Sequence, residues 1–397
     1  MTDFDVIVVG AGPAGAVAAR FAAGAGARVL LLDKKEEPGI PVQCGELLPS
    51  VGTLGEMFHR APDLDGLFEI PKRCVSLQIS RISIFSPARR EYDLPFEALS
   101  LWRARFDAHL AKLAAQAGAE VRTGVNVRAV LLHGEEGPLE PPSPRPPIHP
   151  STHPPVHPSV RNDLPAPVPG ETAVGVETEE GTITARYIIG ADGPLSRVRR
   201  SLGIPAPRLN PCVQYTIPGD YGDAVELYFP EMLPGGHVWL VPRSNGANIG
   251  LETRVRRPLR NTLDQFVWNL GISDKPKIET GGMLPVSGPI GKTVSGNVLL
   301  CGDAAGQVLA FNGWGMATAM ICGRAAGESA AAALAGKAPL SAYEARWRSE
   351  IGDQLRSSVW IRRQMDRLAT SGLTMELAFA FLRRRGIKRL LGGKRLV

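Results

Sequence analysis

Three glycines and one acid carry the clearest chemistry in this chain. Gly10, Gly12 and Gly15 stand at the spacing G-x-G-x-x-G, and Asp33 follows further on. That pattern suits a nucleotide pyrophosphate. Gly10 permits a tight turn, Gly12 presents bare backbone to a phosphate, and Gly15 lets a helix pack closely. The start of that helix offers unpaired N–H groups and a partial positive charge. Asp33 can accept from a ribose 2′-hydroxyl. A glycine triplet alone is a weak signal, so its setting decides. Residues 6–33 read VIVVGAGPAGAVAARFAAGAGARVLLLD. The apolar runs Val6 to Val9 and Val29 to Leu32 read as buried parallel strands. Between them a helical pattern runs to Gly24, with Val17 and Phe21 on one face. Together these elements make a dinucleotide cradle.

The chain has 397 residues, 44% of them hydrophobic, enough for two or three domains with buried cores. Net charge is +6, and the excess gathers toward the C-terminus. Cys44, Cys74, Cys212, Cys301 and Cys322 are an odd set with no C-x-x-C pair, which reads as reduced thiols in a cytoplasmic protein. Asp3 and Asp5 precede the first apolar run and no basic residue does, unlike a signal peptide. No run of about 20 residues is apolar enough to span a bilayer.

Further elements follow in order. Residues 75–85 alternate as a strand, Val75, Leu77 and Ile79 on one face, with Ile82 and Ile84 continuing after a shift. A second strand is predicted to end near Leu94. A helix is predicted from about Arg105 to Ala117, stopped by Gly118, then one or two strands. A hairpin turns at Glu180-Gly181 into the buried strand Tyr187 to Ile189. VELYFP and HVWLVP are the clearest strands of the mixed region 205–282. NVLLCGDAAG, at 297–306, reads as strand, turn and helix start. A long helix runs from about Gly313 to Ala335. Ser341 and Glu344 have capping-box spacing, and the helix behind them carries Trp347, Ile351, Leu355 and Val359 at intervals of four.

Residues 135–170 are dense in proline and cannot supply sheet or helix donors. His149, His153 and His157 each precede a proline there. They read either as metal ligands or as part of a solvated insertion. Polyproline geometry repeats every three residues and does not align a four-residue period, so the insertion is favoured and no metal is expected. The tail from Leu373 mixes Leu and Phe with Arg383, Arg384, Arg385, Lys388, Arg389, Lys394 and Arg395. It suits an anionic membrane surface, or a packed helix with a solvated basic end. No aromatic-and-basic sheet motif is visible, so nucleic acid is not an expected partner.

Four elements recur in an order that resembles the flavoproteins typified by aromatic hydroxylases. They are GAGPAG with Asp33, WRARFD with Arg103, GADGPLSRVRR with Asp192 and Gly193, and LLCGDAAG with Gly302 and Asp303. The resemblance implies an α/β fold: a Rossmann-like FAD-binding domain, an antiparallel β-sheet substrate domain and a C-terminal helical region. Its divisions would be FAD-binding segments at 1–70, 98–204 and 283–340, substrate-domain segments at 71–97 and 205–282, and a basic helical region at 341–397. FAD would be held by Gly10, Gly12, Ala14, Gly15, Asp33, Cys44, Gly45, Arg103, Val127, Asp303, Gly315 and Met316. Arg103 would reach the phosphate region and Asp303 the ribitol hydroxyls. The helix after Gly313 would point its N-terminus at the flavin ring, favouring the anionic reduced form. No second G-x-G-x-x-G unit appears, so a separate NAD(P)H domain is not expected.

Within that group the chain is similar to the geranylgeranyl reductases, including the digeranylgeranylglycerophospholipid reductases. PVQCGE resembles their cysteine motif. HVWLVP followed by seven residues and Gly250 resembles their Y-x-W-x-F-P…G-x-G motif, with His237 at the Tyr, Val241 at the Phe and Glu252 at the last Gly. GQVLAFNGWGM resembles their Pro-x-x-Gly-x-Gly turn, with Ala310 at the Pro. The implied reaction saturates isolated prenyl double bonds by hydride transfer from reduced flavin. Cys44, with Glu46 second, would give the proton. Tyr228, His237, Trp239 and Pro242 would line an apolar cleft, with Phe229 in the β-core. The implied partners are an isoprenoid lipid, an external donor (NAD(P)H, ferredoxin or a deazaflavin) and the inner face of the cell membrane, met by the basic tail. Two other readings stay open: a flavin monooxygenase or halogenase on the same scaffold, and an electron-transfer flavoprotein docked at a membrane quinone.

Overall fold

The computed structural model describes residues 2–132, 172–254, 257–274, 276–369 and 371–391. The expected Pro/His-rich insertion therefore lies outside the described residues. The first unit is as the glycine spacing requires: β1 (Phe4–Val9), α1 (Pro13–Gly24) and β2 (Val29–Leu32). After β3 (Leu47–Pro49), α2 (Val51–Met57) and α3 (Leu64–Leu67) comes a long hairpin of β4 (Val75–Phe85) and β5 (Glu91–Leu101). Next are α4 (Arg103–Gln116), β6 (Glu120–Arg122), β7 (Ala129–Leu132), β8 (Ala173–Thr178), β9 (Gly181–Gly190) and α5 (Arg197–Ser201). An antiparallel run follows: β10 (Leu209–Ile217), β11 (Ala224–Tyr228), β12 (His237–Arg243) and β13 (Gly246–Glu252), then α6 (Leu259–Asn269) and β14 (Ile278–Pro285). The last elements among the described residues are β15 (Val294–Ser295), β16 (Val298–Leu300), α7 (Met316–Leu334), α8 (Ala342–Leu368) and α9 (Gly372–Leu391).

These strands form two sheets. One runs β15-β16-β9-β1-β2-β6, with β7 and β8 attached beside β9. Its central strands are parallel. Its apolar side chains are buried on both faces, against α1 and α7 on one side. The chain leaves β1 toward β2 on one side, while β9 and β16 lie on the other. That reversal opens a crevice at the carboxyl ends of the strands. The second sheet runs β14-β10-β13-β12-β11-β4-β5-β3 and is antiparallel except for β11 beside β4. Its two faces carry separate apolar clusters, one under α8 and α9 and one under α6.

Several expectations need correction. β5 does not end near Leu94 but continues to Leu101. Pro95 sits where the β4–β5 register shifts, a bulge position that tolerates a missing N–H. The same bulge is the shift expected in residues 75–85. α6 lies within the region 205–282 expected to be mixed short strands, with Leu263, Phe266 and Val267 on its buried face at helical spacing. The capping box does not form. Ser341 makes no side-chain cap, and Glu344 instead accepts from the Thr293 and Val294 amides at the β15 edge.

Candidate functional site

The crevice holds a cavity of about 340 Å³ that runs from the first sheet to one face of the second. At its first-sheet end, a β-carbon on Gly10 would meet the Ala191 carbonyl oxygen at 2.4 Å, and one on Gly15 would meet the Gly10 oxygen at 1.8 Å. Gly10 also has φ +101°. Both must be glycine for the turn to close and the helix to dock. A β-carbon on Gly12 or Gly193 would meet nothing within 4 Å, and both residues line the cavity. Bare backbone therefore faces open space at the start of α1, as a pyrophosphate needs.

Acids stand at both ends of this cradle. Asp33 follows β2, and its carboxylate accepts from the Ala11 amide at 2.6 Å and the Lys35 amide at 2.8 Å. Each oxygen keeps a lone pair for a ribose hydroxyl. Asp303 follows β16 in a 3₁₀ turn, Gly302–Ala305. Its carboxylate lines the cavity and has no hydrogen-bond donor among the described residues. Burial pushes its pKa up to about 6, against the opposing pull of Arg103. Such a group is best satisfied by a bound hydroxyl. Arg199 ties the loops after β9 and β16 together, donating to the Pro194 oxygen at 3.1 Å and the Ala304 oxygen at 3.0 Å. Asp192 serves structure: it accepts from Ser196 and from the Arg197 and Val198 amides at the start of α5.

Of the residues expected at the cofactor, Gly12, Ala14, Asp33, Cys44, Gly45, Arg103, Asp303, Gly315 and Met316 line the cavity. Val127 does not; it is packed in the apolar cluster on the far side of the first sheet. Arg103 opens α4, and its guanidinium grips Asp107 at 2.9 and 2.7 Å.

PVQCGE crosses from one sheet to the other. Cys44 lines the cavity, and its sulphur accepts from the Glu46 amide at 3.3 Å. Burial raises the thiol pKa, outweighing the nearby Arg103 charge, so the proton stays on. Glu46 is buried, and its carboxylate is already occupied. It accepts from the Arg103 amide at 2.8 Å and from Asn248 Nδ2 at 2.5 Å, and it pairs with Arg243 at 3.1 Å. Strand alternation decides the second-sheet wall. Val225 and Leu227 of β11 with His237, Trp239 and Val241 of β12 face the cavity. The Trp239 ring lies over Gly250, where a β-carbon would come within 2.3 Å of it.

Two expected wall residues are on the other face. Tyr228 stacks on Phe85 at 4.5 Å and donates to Glu226, and Pro242 pairs in register with Ala247. Each is an odd number of residues from a wall residue, Leu227 or Trp239, so period two sends it the opposite way. Phe229 is buried in the core of the second sheet, as expected, and it also borders a second cavity. The walls also include Gln214 and Trp314, which sequence reasoning did not single out, and Cys212, read from sequence only as a reduced thiol.

Residues 8–51 match the NAD(P)-binding Rossmann-like domain model, and residues 167–278 match the FAD binding domain model. The chain is 33% identical to digeranylgeranylglycerophospholipid reductase 2 of Methanopyrus kandleri, over 100% of this chain and 94% of that protein. It is 33% identical to the digeranylgeranylglycerophospholipid reductase of Methanosarcina acetivorans, over 90% and 84%. Among solved structures, a geranylgeranyl bacteriochlorophyll reductase-like protein from Thermoplasma acidophilum has the same fold, with TM-score 0.75 and 23% identity over 98% of this chain and 99% of that one. The myxobacterial chondrochloren halogenase shares it at TM-score 0.66 and 20% identity, over 99% and 91%. The cofactor is FAD, and the open glycine backbone and unpartnered Asp303 fit it. With this coverage at this identity, the chain belongs to the digeranylgeranylglycerophospholipid reductase family.

Proposed function

We propose that this protein is an FAD-dependent reductase that saturates C=C bonds in the geranylgeranyl chains of isoprenoid lipids. One observation carries the reading: the dinucleotide cradle opens without a break onto a wall of Val225, Leu227, Trp239 and Val241, with Cys44 at the junction. An isolated alkene offers no polar handle, so apolar burial must hold it. Each buried methylene contributes about 0.8 kcal/mol. Reduced flavin supplies the hydride. The rest falls to the chain. Cys44, kept protonated by burial, delivers the proton to the other alkene carbon. Glu46 fixes the loop that carries Cys44 by binding Arg103, Asn248 and Arg243, and we assign it positioning rather than proton delivery. The Trp239 indole N–H, buried and unpartnered among the described residues, stands beside Gly45 to orient what binds there.

The same reading includes a membrane surface. Among the described residues no helix is long and apolar enough to cross a bilayer. On α9, however, Leu373, Leu377 and Phe381 are 71%, 62% and 84% exposed at four-residue spacing. Arg384, Arg385 and Lys388 follow, all exposed. An apolar stripe beside a basic cluster matches an anionic bilayer. The test of function is anaerobic. The protein's flavin is reduced, geranylgeranyl phospholipid is added, and absorbance is followed. Reoxidation with conversion to a more saturated lipid supports the reading; unchanged absorbance and unchanged lipid refute it.

A further inference from the structure

A second cavity, of about 210 Å³, lies under the junction of α8 and α9. Its walls include Phe229, Leu233, Phe311, Met365 and Met375. Among the described residues, His237 is the only one that lines both this cavity and the cofactor cavity. Its ring is thus the partition between them. Trp239 neighbours it on the cofactor side, ring centroids 5.9 Å apart, and Phe229 on the other side, at 6.0 Å.

The partition is pinned. His237 Nδ1 lies 3.2 Å from Glu252 Oε1, its cross-strand partner. Glu252 is held in turn by Arg362 Nη1 at 2.6 Å and Asn210 Nδ2 at 2.7 Å. Arg362 also donates to Asp366 and to the Gly235 oxygen. These charges satisfy one another, and the remaining acid of the wall, Glu231, is exposed to solvent, so the second cavity can hold apolar matter despite them. His237 and Glu252 are also two of the places where the chain departs from the motif it resembles, and the fold puts them opposite each other. They are one paired feature.

We propose that His237, fixed by Glu252, is a depth stop for the prenyl chain, and so sets which double bonds come level with the flavin. This rests on the prenyl-reductase reading. The second cavity meets the substrate wall at His237, and the occupant its apolar residues suit is the far end of a prenyl chain. The ring blocks that end. A chain that cannot pass stays registered by its own length.

The test is binding of prenyl diphosphates of increasing length (geranyl, farnesyl, geranylgeranyl) to the oxidised holoprotein, by calorimetry, with product analysis alongside. For wild type, affinity rises with length and then levels off once the first cavity is filled. His237→Ala joins the cavities, while Glu252 keeps Arg362 and Asn210 as partners. Affinity for the longest chain then rises at least tenfold relative to that for geranyl, and the set of reduced double bonds shifts. His237→Phe restores bulk and the wild-type length dependence. If the alanine variant does not fold, His237→Val, suited to a strand, opens part of the same space and is expected to show part of the same gain. Equal length dependence in wild type and the folded small-residue variant overturns the depth stop alone. No binding of any prenyl length overturns the stop and the reductase reading together.

Discussion

Gly45 and Trp239 touch across the cavity: a β-carbon at Gly45 would lie 3.3 Å from both Cδ1 and Nε1 of the indole. A loop from the first sheet and a strand of the second thus meet at the point where cofactor and substrate spaces join. Gly45→Val would crowd the indole, whose ring already fills the space above Gly250. The expected result is retained FAD with prenyl reduction lowered more than tenfold, measured as kcat/KM beside the flavin spectrum.

Cys44→Ala removes the thiol and leaves the cradle intact. FAD content should be unchanged and saturation should fall by about 10²-fold or more, the usual worth of a positioned acid. Because burial raises the thiol pKa, the wild-type rate should hold through neutral pH and fall only in the alkaline range. A variant with wild-type product would remove Cys44 from the chemistry.

Glu46→Gln separates positioning from acid catalysis. The neutral amide leaves the Arg243 guanidinium, 3.1 Å away, without its counter-charge in a mostly buried place. Stability should drop by about 3 kcal/mol in urea unfolding, the scale for breaking a buried pair. Where the variant is folded, kcat should stay within tenfold of wild type. A larger loss of kcat at full folding would restore Glu46 as an acid.

Asp303 makes the cofactor-free protein sensitive to pH. Its folded-state pKa of about 6 lies above the ordinary value of 3.8, so the folded state holds the proton more tightly. The Asp303 contribution to stability therefore falls as pH rises from about 4 to 6. Asp303→Asn should remove that contribution and raise the apoprotein melting temperature at neutral pH by a few degrees. It should also weaken FAD retention, since an amide accepts a ribitol hydroxyl less strongly than a carboxylate.

The exposed stripe of α9 has its own test. Leu377→Glu with Phe381→Glu should abolish co-sedimentation with anionic vesicles and leave turnover of a detergent-dispersed prenyl substrate unchanged. Wild-type co-sedimentation should weaken as salt is raised. Vesicle binding unaffected by both substitutions would detach α9 from the membrane.

The cradle was legible in the sequence because its parts are local. Gly10, Gly12, Gly15 and Asp33 lie within one strand–helix–strand unit, and each has a backbone reason to be what it is. The second sheet was half legible. HVWLVP showed a strand, yet Tyr228 and Pro242 were placed on the wall although alternation sends them to the other face. The job of Glu46 was not readable, because its partners Arg243 and Asn248 are joined to it only by the fold. The capping box failed for a similar reason: Glu344 found distant amides at Thr293 and Val294. Local spacing could not show His237 as a partition, since that depends on where α8 and α9 settle.

The most direct measurement is the stoichiometry of a single anaerobic turnover. Protein carrying reduced FAD is mixed with excess geranylgeranyl phospholipid in the absence of oxygen, quenched, and analysed by mass spectrometry. One double bond saturated per flavin oxidised is expected, with the lipid heavier by two hydrogens. Flavin that stays reduced until oxygen is admitted, with lipid of unaltered mass, would contradict the assignment.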